Sequence, residues 1–173
     1  MEKLKNEYKD PNIQQLVETL GSKNGLERKR ARKALVEYGK VIIDPLLELL
    51  DHPKYVFRWE ALMTLKEIRD QTLIPVFISK LDDDESEIRW IAAEGLIKQE
   101  KYAIIPLLKF LEKNSDSVFV LEGSHHVFSD LHKNKKLPGN FPYDKIMPLL
   151  KSTSMAERIK IAIYQILHEI KET

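Results

Sequence analysis

Glu122, His125, His126, Asp130 and His132 form the one cluster in this sequence whose residue types suit a metal ion. On a helix, Glu122 and His125 share a face, at the three-residue spacing that carboxylate-bridged di-iron bundles use. Such centres need two motifs of this kind and two further glutamates, and the sequence supplies one motif. His125 and His126 are neighbours, so a helix turns them in different directions and at most one enters a common groove. Solvated, titrating histidines are the plainer reading, and no metal ligand is assigned. Trp90 and Glu94 form a second constellation, one helical turn apart. An aromatic face beside a carboxylate can hold a cationic group and stabilise developing positive charge. A surface glutamate next to an indole that seals a helix seam is the bland alternative. The chain has no Gly-rich phosphate loop, Ser-x-x-Lys, nucleophile elbow or zinc spacing. It also has no cysteine, which removes disulfides, thiolate metal sites and cysteine nucleophiles together. No catalytic residue is assigned and no cofactor is implied.

The elements that would carry these residues repeat. VIIDPLLELLDHPKYVFRWEALMTLKEI is followed by LIPVFISKLDDDESEIRWIAAEGLIK. Each copy has a proline in an apolar run, an acidic break, and Arg-x-x-Ala-x-x-x-Leu on a second helical segment. Five helical pairs are expected, over about residues 12–38, 41–70, 72–99, 102–132 and 144–172, in a single domain. The Lys-, Asn-, Gly- and Pro-rich stretch 133–143 reads as an insertion loop that stretches the period. Residues 1–10 read as a fraying end or a short leading helix. Three columns align across the pairs: Arg28, Arg58 and Arg89; Ala31, Ala61, Ala92, Gly123 and Ala162; Leu35, Leu65, Leu96, Val127 and Ile166. Small residues recur where helices approach closely and large aliphatics where a gap needs filling. A lone hairpin cannot bury its apolar stripe, so neighbours must stack.

These repeats resemble HEAT repeats, in the proline-bearing first helix, the acidic turn at Asp51 or Asp82–Asp84, and the second helix opening with Phe57-Arg58 or Ile88-Arg89. The short period resembles the HEAT-like repeats of phycobilisome lyase subunits more than the longer repeats of eukaryotic scaffolds. The resemblance implies an all-α fold, a right-handed α-α superhelix of about five hairpins, with the second helices lining a concave face. It also implies that Arg28, Arg58 and Arg89 form a structural ladder with turn aspartates. The ladder stops before the last two pairs, where Val120 and Ile159 replace the arginine.

One position past the arginine column points away from the core stripe and reads Lys29, Trp59, Trp90, Leu121 and Lys160. The next row reads Lys33, Met63, Glu94, His125 and Ile163. Trp59, Met63, Trp90, Glu94, Leu121 and His125 are therefore the expected partner-binding residues, since exposed Trp and Met beside charge mark interface hot spots. The expected function is a non-catalytic scaffold for another protein or a peptide. Resemblance to HEAT-like alkyl-base glycosylases, which place aromatics and a carboxylate in their cleft, gives a DNA-binding alternative on Trp90 and Glu94. Resemblance to phycobilisome lyases gives a bilin lyase or chaperone as another. With 28 basic against 27 acidic residues, no global field draws the chain to nucleic acid. A charged N-terminus and the lack of a long apolar run point to the cytoplasm rather than a membrane. The basic run Lys133–Lys136 reads as a solvated loop that could touch an acidic partner.

Overall fold

The computed structural model describes residues 10–151 and 156–171, and among these no strand occurs. The expectation for residues 1–9 lies outside the described part. The helices are α1 (Pro11–Thr19), α2 (Gly25–Glu37), α3 (Ile43–Glu48), α4 (Tyr55–Ile68), α5 (Ile74–Ser79), α6 (Ser86–Gln99), α7 (Lys101–Lys113), α8 (Val118–Lys133), α9 (Tyr143–Leu150) and α10 (Ala156–Lys171). They form hairpins of the α-solenoid class. None of the described helices is long and apolar enough to cross a membrane.

Local chemistry sets the boundaries. Asp10 accepts a hydrogen bond from the Asn12 amide at 2.8 Å, Asn24 does the same for Leu26 at 2.9 Å, and Ser117 for Val120 at 3.3 Å. Each satisfies an amide that the first helical turn leaves without a partner. The proline-bearing first helices of the second and third pairs are not single α-helices. Each is instead a short α-helix between tighter 3-10 turns, Gly39–Ile42 and Leu49–Asp51 around α3, Gln71–Leu73 and Lys80–Asp82 around α5. Pro45 and Pro75 sit at the starts of those α-segments and lack the amide donor that would continue a helix from before them. The second helices end alike. Gly39, Arg69, Glu100 and Lys135 have φ of 62°, 52°, 54° and 56°, in each case a positive-φ residue that ends the helix; Arg69 takes the left-handed helical conformation, whereas Glu100 has ψ of −134°. Only the first is glycine.

The chain forms two compact units, one ending at Asp70 and one starting at Gln71. In the first, α2 packs on α1 and on α4, and α3 packs on α4. Ala31, Leu35, Ala61 and Leu65 are buried in these seams. In the second, α6 packs on α5 and on α8, while α5 packs on α7. First helix meets first helix and second meets second. Leu96, Val127, Phe77 and Leu111 are fully buried there. The small-residue column has a direct cause: a Cβ on Gly123 would come within 2.8 Å of the Leu81 side chain.

The last pair departs from the expected stacking. α9 packs on α8, a second helix, and α10 packs on α7, a first helix. The two helices have exchanged places. The connection from Asn134 to Pro142 carries the chain across the end of α8, so α9 takes the position that α10 would hold in a regular stack. It is tied down rather than loose. Lys136 donates its amide to Leu131 at 2.8 Å, and buried Phe141 sits with its ring 5.2 Å from that of Phe128.

Candidate functional site

The arginine column is structural, but its partners differ from those the resemblance implies. Arg58 donates to the carbonyls of His52 and Pro53 at 3.0 and 3.3 Å, and Arg89 to those of Asp83 and Asp84 at 2.8 and 3.0 Å. Arg28 donates to Ser22 and Lys23 in the same way. Each guanidinium thus clamps the turn of its own hairpin through backbone oxygens, not through an aspartate carboxylate. Polar links between hairpins use different partners, and among the described residues only Arg28 of the column takes part in one. Arg28 Nε pairs with Glu60 Oε1 at 2.8 Å and Arg32 pairs with the second Glu60 oxygen. In the second unit, the Ser117 hydroxyl donates to Asp82.

Trp59, on α4, belongs to the first of these networks. It is half-buried, and the Arg32 guanidinium stands over its ring, 5.3 Å from the centroid. Arg28 and Arg32 are one turn apart on α2, so both reach Glu60, whose side chain is only 2% exposed. A hollow of about 320 Å³ lies beside the ring, lined by Arg28, Tyr55, Val56 and Trp59. Met63, one turn on from Trp59, is half-buried.

Trp90, on α6, has a different environment. Its ring is 57% exposed and stacks on His126 of α8, with centroids 4.5 Å apart and planes 29° apart. His126 Nε2 lies 3.1 Å from Glu94 Oε1. Trp90, Glu94 and His126 therefore form one unit: the imidazole supports the indole from beneath and is itself positioned by the carboxylate. Alongside, the Arg89 guanidinium lies 3.8 Å from the centroid of the Phe119 ring, which is 42% exposed.

Several expected site residues fall elsewhere. Leu121, expected on the exposed face, is 1% exposed, because the exchange of the last helices lays α9 against α8. Lys160 and Ile163, expected to extend the inner row, sit on α10, which packs on α7. Ile163 is fully buried; the residue five past Ile159 is Tyr164, which is 55% exposed. His125 is half-buried in a hollow of about 300 Å³ with Leu121, Glu122, Leu150 and Lys151. Burial, then the Lys151 ammonium and then His126, hold its pKa below the ordinary 6.5. The remaining members of the imidazole–carboxylate cluster disperse. His132 stacks on Tyr143 at 3.8 Å and Asp130 accepts from the Asn134 amide group at 2.8 Å.

Helical spacing alone selects His125, because it follows the same row as Glu94. His126 is the residue that reaches the tryptophan. When second helices lie side by side, one flank of each faces the flank of the next, so partners are offset by one position. Glu60 and His126 both lie on that offset flank, two and six positions past the arginine column.

Paired helices that stack first on first and second on second define a repeat protein of the α-solenoid class. A family model described as HEAT repeats matches residues 43–121, so over that stretch the chain is similar to HEAT repeats. The match ends before the insertion and the exchanged pair. No curated protein matches this sequence.

Proposed function

We propose that the chain is a non-catalytic scaffold that takes another protein or a peptide on its second helices, with Trp90, Glu94 and His126 as the anchor in the second unit. The observation that carries this reading is Trp90 itself. A large ring that is 57% exposed, yet held in place by a stacked imidazole, loses little freedom when a partner covers it. HEAT repeats in general serve as interaction surfaces, which supports the class of function and names no partner. In the first unit, the Trp59 hollow is a second contact of the same kind, with a ring already part of the fold.

The test is capture from native lysate with wild type, Trp90→Ala and Tyr102→Ala, the last removing another exposed ring. The expected result is a partner lost with Trp90→Ala and kept with Tyr102→Ala, at nearly unchanged melting temperatures. A partner set indifferent to Trp90 would sink this reading. Two results would replace it: release of an alkylated base that is lost in Glu94→Gln, or a spectral shift on mixing with a bilin and its carrier protein.

A further inference from the structure

The insertion that interrupts the period builds a cleft of about 520 Å³, within the size range of small-molecule sites. Its lining includes none of Trp59, Trp90, Glu94 and His126, and it does not depend on the function proposed for them. One side is the His132–Tyr143 stack, whose planes are within 12° of each other. Leu137, Pro138 and Phe141 supply apolar lining, and Lys135 and Lys145 stand on the lining with Asp144 as the single acid.

Two features make this a built site rather than a gap under a loop. First, the walls are fixed. Phe141 is anchored against Phe128, Lys136 reaches Glu100 at 2.5 Å, and the backbone closes on itself through Lys135 to His132 and Phe141 to Pro138. Proline at 138 and 142 restricts the chain further. A pre-formed cleft loses little entropy on binding. Second, the charges are unevenly spent. Lys136 is engaged with Glu100, whereas Lys135 has no ion pair among the described residues. Lys145 lies 3.6 Å from Glu169, a loose approach between two exposed side chains that leaves its donors available. A flat ring face, an apolar wall and two ammonium groups against one carboxylate suit a ligand with an apolar body and a negative head.

We propose that this cleft binds a small organic anion with a flat apolar body, its carboxylate or phosphate head taken by Lys135 and Lys145 and its body laid against His132, Tyr143 and Pro138. Benzoate and phenyl phosphate are the probes, with neutral benzamide as control, followed through amide and side-chain NMR shifts of the full chain. Millimolar or tighter binding is expected, with shifts confined to residues 132–145. The stronger of the two probes identifies the head group. The double variant Lys135→Glu/Lys145→Glu should weaken binding at least about fivefold, with helix content unchanged by circular dichroism. No saturable shift from either anion, equal binding of benzamide, or binding unmoved by the double variant would each overturn the proposal.

Discussion

Trp59 and Trp90 occupy the same register of consecutive repeats, and the fold uses them differently. Around Trp59 the neighbouring hairpin supplies two arginines, the next residue is a buried glutamate, and the ring is covered by a cation. Around Trp90 the residue matching Glu60 is Ile91, which is 3% exposed, so no charge network forms and the ring stays open on a histidine. Two positions differ between the repeats: Glu60 matches Ile91, and Arg32, which covers Trp59, matches Leu62, so both the acid and the covering cation are specific to Trp59.

The largest expected effect comes from making the first unit like the second. Glu60→Ile leaves Arg28 and Arg32 without their carboxylate and should cost about 2–4 kcal/mol in chemical denaturation, below the range for fully buried pairs because both arginines are partly exposed. Adding Arg32→Leu should recover part of that loss. If Glu60→Ile alone is neutral, the two environments are not energetically distinct.

Next come the rings. Trp59→Ala should lower stability by roughly 2 kcal/mol, since it removes a half-buried ring and the support of Arg32. Trp90→Ala should cost less than about 1 kcal/mol, the worth of one aromatic stack. In single-tryptophan variants, acrylamide should quench Trp90 more strongly than Trp59; equal quenching would remove the distinction.

The helix ends provide a control on which both units agree. Arg69→Gly relieves a left-handed residue and should raise stability by about 0.5–1 kcal/mol. Glu100→Gly should gain at least as much, because φ 54° with ψ −134° is a conformation that only glycine adopts readily, and the exposed pair with Lys136 that it removes is worth little. A thermal melt checks both.

The smallest effect belongs to His125. Its folded pKa is depressed, so below about pH 6.5 the unfolded chain takes up a proton that the folded protein resists, and stability falls with pH; above that value the residue contributes nothing. His125→Asn should therefore flatten the decline in melting temperature between about pH 7 and 5. An unchanged slope would show that other groups govern it.

The hairpins of the regular repeats were legible because period and proline placement are written in the chain. Ala61, Ala92 and Gly123 had to be small for neighbouring helices to approach, and Leu65, Leu96 and Val127 had to fill the gap. The tighter 3-10 turns around Pro45 and Pro75 were not legible, since the pattern of apolar residues is the same for an α-helix and for an α-segment between such turns. The site was legible only in part. Spacing on one helix locates Trp90 and Glu94, but His126 enters from another helix, and the offset between adjacent second helices is a property of packing. Leu121 and Ile163 were misplaced for a related reason. Their exposure depends on which helix α9 and α10 pack against, and the composition of residues 133–143 announces a loop without saying where it leads.

The exchange of the last two helices acts as punctuation. A repeating stack propagates because each hairpin offers the next one the same pair of ridges in the same order. Once α9 lies on α8 and α10 on α7, the ridges presented onward come in the opposite order, and a further hairpin of the regular type would find no matching groove. A single crossing of the backbone thus reverses the order in which a stack offers its ridges, with no change in the helices themselves.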